Sequence, residues 1–200
     1  MIKTIIFDFG GVYFTDGVSR IMKIICSRYN LPMEKVKECF EGPLGFDYRL
    51  GNIDKEEFWD RTKKFLGITA NTEELSQEWN DQYEPIEGTV KIVDRLKDAG
   101  YDLLFLSNNL RERVSILDSR YGFLQKFKNG IFSFDVKIKK PDPKIYLALL
   151  KKTSSSAEEC LYVDDKERCT KSAEQVGMKT ILFESPEKLE EDLKKFSLNF

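Results

Sequence analysis

The chain of 200 residues contains no histidine. This absence excludes a Ser-His-Asp triad, a Cys-His catalytic pair and metal sites built on histidine ligands. Chemistry in this protein must therefore depend on carboxylates, lysine, hydroxyl groups or a bound ion.

Cysteines and long apolar runs are also scarce. The four cysteines (Cys26, Cys39, Cys160 and Cys169) lack Cys-x-x-Cys spacing, which predicts reduced thiols rather than a disulfide framework or a zinc site. No apolar stretch approaches the roughly 18 residues of a membrane span, and the N-terminus lacks the pattern of a signal peptide. We therefore expect a soluble, cytoplasmic protein without membrane contact.

The chain also has no excess of basic residues. Lysine and arginine total 32 against 34 aspartates and glutamates, for a formal net charge of -2. A dedicated nucleic-acid surface needs a basic excess to neutralise phosphates, so we expect no nucleic-acid partner. The length fits one domain, or a core domain with a modest insertion.

Short apolar segments alternate with helical patterns in most of the chain. Strands are predicted at 5–7, 101–106, 131–134, 160–163 and 180–183. This alternation predicts an α/β fold, a Rossmann-like parallel sheet with helices on both faces. Residues 15–85 instead show amphipathic helical patterns and no convincing strand. We therefore predict a core formed by residues 1–14 and 86–200, with a helical domain inserted at 15–85.

Asp8 is the first candidate functional residue. It follows the apolar run Ile5–Phe7 and precedes a turn containing Gly10 and Gly11. Open α/β sheets place ligands at such strand ends. The alternative is an aspartate that only caps the turn with its own side chain.

Further polar residues follow the other predicted strands. They are Ser107, Asn108, Lys140, Asp164 and Asp165. The carboxyl ends of parallel strands share one sheet edge, so these groups and Asp8 can meet there and suit a phosphate and a hard cation such as Mg²⁺. Taken singly, Ser107 and Asn108 also suit helix caps, Lys140 a solvated lysine, and the paired aspartates a turn before a helix. Lys139 is expected to be solvated.

The order and spacing of these residues resemble four motifs of one enzyme superfamily. The matching segments are FDFGGV (7–12), LSN (106–108), KKPDPKIY (139–146) and YVDD (162–165). They resemble the haloacid dehalogenase (HAD) superfamily, in the subgroup with a helical cap after the first motif. Within the predicted cap, YRLGNI (48–53) is similar to a segment of sugar-phosphatase-like members and of the phosphatase domain of soluble epoxide hydrolase.

The resemblance implies that Asp8 is a nucleophile that attacks phosphorus and forms an aspartyl-phosphate. It also implies a bound Mg²⁺. The ligands would be a carboxylate oxygen of Asp8, the backbone carbonyl of Gly10, and Asp165. Asp164 would hold a bound water or orient its neighbour.

The resemblance further implies that Ser107 and Asn108 hydrogen-bond the phosphoryl oxygens, while Lys140 supplies positive charge to Asp8 and to the phosphate. The expected activity is a Mg²⁺-dependent phosphatase of a small phosphorylated metabolite, with sugar phosphates as one candidate. A metal-free dehalogenase, in which Asp8 attacks carbon, is the alternative enzyme, and the pair Asp164 and Asp165 argues against it.

Two positions depart from the family pattern. Gly10 stands where family phosphatases carry an aspartate that protonates the leaving group, a kind of group worth about 10²–10⁴-fold in rate. Three interpretations are open. Asp47 or Tyr48 replaces the missing aspartate, or the leaving group needs little protonation, as in anomeric or acyl phosphates. Alternatively, the protein is a catalytically weak binding or regulatory member. Cys169 stands where an asparagine is common, which is expected to weaken a hydrogen bond around Lys140 or Asp165.

Overall fold

A computed structural model describes all 200 residues and contains a single sheet. Its strands are β1 (Thr4–Phe7), β2 (Asp102–Ser107), β3 (Asn129–Phe132), β4 (Cys160–Asp164) and β5 (Lys179–Leu182). They lie in the order β3-β2-β1-β4-β5, and every neighbouring pair is parallel. The predicted α/β fold with a parallel sheet is confirmed.

Helices connect the strands and also fill the long segment between β1 and β2. That segment contains α1 (Gly17–Tyr29), α2 (Met33–Glu41), α3 (Pro43–Arg49), α4 (Lys55–Leu66), α5 (Thr72–Asp81) and α6 (Glu87–Asp98). The later helices are α7 (Arg111–Tyr121), α8 (Ser133–Val136), α9 (Pro143–Leu150), α10 (Glu167–Gln175) and α11 (Pro186–Lys195). None of them has the length and apolar character needed to cross a bilayer.

Both faces of the sheet are buried, and β1 shows why its sequence is almost entirely apolar. Side chains alternate between the two faces of a strand. Ile5 and Phe7 enter the larger hydrophobic cluster, whereas Ile6 enters the smaller cluster on the other face. Strands buried on both faces read as continuous apolar runs, which is why β1 is visible in the sequence.

The helical segment leaves and rejoins the sheet through two adjacent stretches of backbone. The amide of Thr15 donates to the carbonyl of Glu84 at 2.9 Å, and the amide of Ile86 donates to the carbonyl of Tyr13 at 2.9 Å. Between these stretches, Phe40, Phe58, Trp59 and Trp79 form the segment's own aromatic core, with ring centroids 5.0 to 6.0 Å apart.

The third strand ends earlier than predicted. The sequence predicts a strand over Ile131–Phe134, but β3 ends at Phe132 and Phe134 belongs to α8. The ring of Phe134 stacks on that of Phe132 with centroids 5.1 Å apart. An apolar residue indicates burial but not the type of element that buries it. The short helix α8 buries Phe134 as well as a longer strand would.

Phe9 anchors the turn that follows β1. Its ring is fully buried and contacts Phe105, Phe123 and Phe127, with centroid distances of 5.0, 4.9 and 5.3 Å. Its carbonyl accepts a hydrogen bond from the amide of Phe14 at 2.7 Å. Packing and hydrogen bonding therefore fix the backbone between Asp8 and Phe14.

Replacing this ring should destabilise the whole fold. We expect Phe9→Ala to lower the free energy of unfolding by about 3–5 kcal/mol, because it leaves a cavity among aromatic rings. Urea unfolding would measure the change, with Phe65→Ala as control, since Phe65 is 50% exposed. Equal losses in the two variants would show that Phe9 is not an anchor.

Candidate active site

The carboxyl ends of two central strands bring two aspartates together. Strands β1 and β4 are neighbours with Phe7 opposite Val163. Asp8 comes directly after β1, and its amide continues the ladder by donating to the carbonyl of Val163 at 2.9 Å. Asp164 is the last residue of β4. The parallel register therefore places both carboxylates at the same sheet edge.

Lys140, from the loop before α9, lies between these aspartates. Its Nζ is 2.8 Å from Oδ1 of Asp8 and 2.7 Å from Oδ2 of Asp164. The Lys140 side chain is only 3% exposed, and its Nζ also donates to the hydroxyl of Tyr162 at 3.0 Å. That hydroxyl donates in turn to Asp164. The lysine is therefore a fixed, buried charge rather than a solvated one.

Burial and mutual repulsion shift the protonation of these groups. The pKa of Asp8 is raised to about 7, mainly by burial and also by the nearby Asp164 and Asp165, against the lowering effect of Lys140. Burial alone would lower the pKa of Lys140, but Asp164 and Asp8 outweigh it, so this pKa lies above its usual value. The lysine stays charged, whereas Asp8 needs more positive charge nearby to be fully ionised at neutral pH.

The carboxylates also fit a divalent cation. One oxygen from each of Asp8, Asp164 and Asp165 lies within 4.8 Å of the others. Oδ1 of Asp165 is buried without any hydrogen-bond partner, although Oδ2 accepts from Nζ of Lys166 at 2.7 Å. A buried carboxylate oxygen left unpaired is unfavourable unless a ligand completes it. Oxygen-only groups of this kind suit Mg²⁺.

Gly11 allows Asp165 to approach the turn after β1. Gly11 has φ of +91°, and a Cβ there would lie 2.5 Å from Oδ2 of Asp165. Both the left-handed backbone and the close approach require glycine. Gly10 differs, because a Cβ there would meet only Cε1 of Tyr83, at an ordinary 3.7 Å. The second glycine of the motif is thus structurally required, and the first is not.

Of the two predicted phosphate-binding residues, one lines the cavity and the other does not. Ser107 ends β2, is 1% exposed and does not line the cavity. Asn108 lines it, but its side chain clamps the backbone of Lys140: Oδ1 accepts from the Lys140 amide at 2.9 Å and Nδ2 donates to the Lys140 carbonyl at 3.1 Å. Asn108 therefore positions the lysine.

The two residues predicted as alternative acids do not line the cavity. The hydroxyl of Tyr48 donates to Glu112, and Oδ1 of Asp47 accepts from Nδ2 of Asn52 at 3.1 Å. Each side chain therefore has a partner outside the cavity.

Cys169 does line the cavity but is a buried thiol. Burial raises its pKa to about 11, so it stays protonated. Its carbonyl accepts a hydrogen bond from the hydroxyl of Tyr146 at 3.0 Å.

The cavity above Asp8 has a volume of about 190 Å³. Several charged lining residues were not predicted from the sequence: Asp16, Glu41, Arg49, Lys139, Lys166 and Arg168. Lys139 was expected to be solvated, but its Nζ lies over the ring of Phe46, 3.6 Å from the centroid. The sequence signals were the position of Lys139 beside Lys140 and the family-like segment that contains Arg49.

Comparison with known proteins identifies the family of this chain. Residues 5–183 match the family model described as haloacid dehalogenase-like hydrolase. Flavin mononucleotide hydrolase 1 of Arabidopsis thaliana is 22% identical over 173 residues, covering 86% of this chain and 69% of that protein. The haloacid dehalogenase-like hydrolase domain-containing protein At4g39970 of the same plant is 31% identical over 144 residues. That match covers 70% of this chain but only 42% of the plant protein.

Solved structures show the same fold. A HAD family enzyme from Bacteroides thetaiotaomicron superposes with a TM-score of 0.78 at 20% identity, covering 99% of each chain. The complex of that enzyme with magnesium and inorganic phosphate superposes with a TM-score of 0.74 at 20% identity, covering 92% of this chain and 96% of the other. With a family model matched over most of its length, the chain belongs to the haloacid dehalogenase-like hydrolases.

Proposed function

We propose that this hydrolase is a Mg²⁺-dependent phosphatase of a small phosphorylated metabolite. The observation that carries the proposal is the group formed by Asp8, Lys140 and Asp165: a buried carboxylate paired with a buried ammonium, beside an unpartnered carboxylate oxygen. The relatives support a phosphate ester, since one is a flavin mononucleotide hydrolase and one structural neighbour is a complex with magnesium and phosphate.

In this proposal Asp8 is the nucleophile. One of its oxygens forms a bond to phosphorus while the bond between phosphorus and the leaving oxygen breaks, and the leaving group takes the electron pair. Water then cleaves the aspartyl-phosphate, releases inorganic phosphate and regenerates the carboxylate. Lys140, 2.8 Å from Asp8, keeps the attacking oxygen oriented and supplies positive charge where the phosphoryl group sits.

The residues that would hold Mg²⁺ are Asp8, the carbonyl of Gly10 and Asp165. Both oxygens of Asp164 already have donors, because Oδ1 accepts from the Lys166 amide at 2.8 Å and Oδ2 from Nζ of Lys140 at 2.7 Å. Asp164 is therefore a positioning residue in this scheme. The cation would neutralise the clustered carboxylates and so let an anionic phosphate approach.

The phosphoryl contacts proposed for Ser107 and Asn108 follow from the family motif. The structure supports an indirect contribution of Asn108, because its side chain holds the backbone of Lys140. Ser107 lies directly before it at the end of β2.

We propose that residues 15–85 act as a cap over this site. Glu41, Phe46 and Arg49 of this segment line the cavity together with Asp8. The volume of about 190 Å³ is below the roughly 300–1,000 Å³ of pockets for drug-sized ligands. A substrate with few atoms beyond its phosphate fits this enclosure.

Gly10 provides no side chain to protonate the leaving group. This favours a substrate whose leaving group needs little protonation, and an anomeric sugar phosphate or an acyl phosphate has that property. The ring of Tyr83 lies against Gly10 but leaves room for a Cβ.

Removing the nucleophile should abolish turnover. We expect Asp8→Asn to lower kcat by at least about 10³-fold, since the amide does not form the covalent intermediate. Phosphate release with added Mg²⁺ measures this, and Asp60→Asn is the control because that side chain is 72% exposed. Undiminished activity of Asp8→Asn would exclude Asp8 as the nucleophile.

Chelation separates the phosphatase from the dehalogenase. With excess EDTA we expect phosphate release to stop and to return on adding Mg²⁺, because the carboxylate cluster needs a compensating cation. Release of halide from 2-haloacids that persists in EDTA, without any phosphatase activity, would instead establish a metal-free dehalogenase.

Restoring an acid tests the significance of Gly10. Because a Cβ fits there, we expect Gly10→Asp to fold and to raise kcat on alkyl phosphates, up to about 10²–10⁴-fold. Turnover of an aryl phosphate, whose leaving group needs no proton, should change far less.

A different result would redirect the proposal. If neither the native protein nor Gly10→Asp hydrolyses any ester, yet beryllofluoride binds at Asp8, the chain is a binding or regulatory member. A fall in turnover of one particular phosphate in Gly10→Asp would show instead that the glycine is an adaptation to that substrate.

A further inference from the structure

Three positively charged side chains without carboxylate partners line the cavity. Arg49, Lys139 and Arg168 form no salt bridge, and we call them the basic edge. The other cavity cations are paired: Lys140 contacts Asp8 and Asp164, and Lys166 contacts Asp165. The basic edge therefore differs from the rest of the site in lacking counter-charges.

Arg49 contributes the most buried charge of the basic edge. It is 7% exposed and ends helix α3. Its Nη1 donates to the carbonyls of Phe40 at 2.7 Å and Gly45 at 2.9 Å, which fixes the guanidinium plane. Its Nε and Nη2 make no hydrogen bond within the protein and are not sealed from the cavity. A planar guanidinium with free N–H groups is suited to a carboxylate or phosphate.

Lys139 lines the same cavity as both arginines, and their positive charges act on it. Its pKa is lowered by partial burial first, and then by the charges of Arg168 and Arg49. Its only close partner is the ring face of Phe46. Like charges held together without an anion are unfavourable, so a bound anion would relieve this repulsion.

The acidic residues of the cavity do not supply the missing charge. Oδ1 and Oδ2 of Asp16 accept from the amide and hydroxyl of Ser19, which caps helix α1. Glu41 lies 3.5 Å from Lys37, four residues before it on α2. Neither acid is within ion-pair distance of Arg49.

We propose that the substrate carries a carboxylate in addition to its phosphate, and that the basic edge binds this carboxylate. The inference rests on the proposed phosphatase function and goes beyond it by naming the second anionic group. Lys140 and the cation site account for the phosphate, so the three charges of the basic edge are left for another part of the same molecule. The small cavity favours a compact carboxylate, held by a short carbon chain, over a second phosphate.

Two matched esters test this proposal. Glycerol 3-phosphate and 3-phosphoglycerate have the same primary leaving oxygen, so the missing acid at Gly10 slows both alike. They differ only in a hydroxymethyl group against a carboxylate. Charge-assisted hydrogen bonds predict that kcat/KM favours 3-phosphoglycerate by about 10-fold to 100-fold. Equal values for the two esters would overturn the carboxylate assignment while leaving the phosphatase proposal intact. A stronger preference for propane-1,3-diol bisphosphate would overturn it in favour of a second phosphate.

Variants test whether the basic edge causes the preference for 3-phosphoglycerate. We expect the ratio of kcat/KM between the two esters to fall several-fold in both Lys139→Met and Arg168→Met. Lys144→Met and Lys171→Met are the controls, since these exposed residues lie nearby in the chain but outside the cavity. They should keep the native ratio, and thermal unfolding checks that all four variants are folded. An unchanged ratio in Lys139→Met and Arg168→Met would contradict the assignment.

A binding measurement separates failure of this proposal from failure of the phosphatase. Calorimetric titration of Asp8→Asn with each ester, in the presence of Mg²⁺, reports affinity without turnover. Tighter binding of 3-phosphoglycerate, lost in Lys139→Met made on the same background, supports the basic edge even if neither ester is hydrolysed. Equal affinity for both esters overturns it.

Discussion

The buried ammonium of Lys140, held between Asp8 and Asp164, is the interaction on which the site depends. Charges this deeply buried are tolerated only with close partners of opposite sign. The sheet meets that requirement because β1 and β4 are adjacent, so two strand ends deliver both carboxylates to one ammonium. Asn108 fixes the lysine from the next strand, through its backbone rather than its charge. The charge balance of the carboxylate cluster remains incomplete, because it has three carboxylates and only two ammonium groups, those of Lys140 and Lys166, pair with them.

The residues joined by sheet topology could be predicted from the sequence, and those joined by helix packing could not. Asp8, Asp164 and Asp165 lie at the ends of β1 and β4, which are buried on both faces and therefore visible as apolar runs, and parallel strands end at a shared edge. Lys140 lies further along the chain, after β3 and α8, and its signal was the segment KKPDPKIY. The end of β3 was predicted less well, because Phe134 is equally apolar in a strand or in a helix. The position of Phe134 depends on tertiary contacts, which a local sequence pattern does not indicate.

Arg49 lies on α3, which packs against the region after β3. The hydroxyl of Ser133 donates to the carbonyl of Arg49 at 2.6 Å, and Lys137 donates to the carbonyls of Leu50 and Gly51 at 2.6 and 2.7 Å. These partners are more than 80 residues apart in the chain. The same packing places Phe46 under Lys139. The cavity is therefore bounded jointly by the helical segment and the sheet, whereas the three clustered carboxylates lie at strand ends of the sheet alone.

The two adjacent glycines after Asp8 differ in how freely they can change over evolutionary time. Gly11 is confined by its backbone angle and by Asp165, so its replacement disturbs the site. At Gly10, an added Cβ would lie at an ordinary contact distance from the ring of Tyr83. One base change converts a glycine codon that ends in a pyrimidine into an aspartate codon, and a Cβ at this position meets only an ordinary contact. A lineage with this fold can gain or lose an acid two residues after Asp8 in one mutational step.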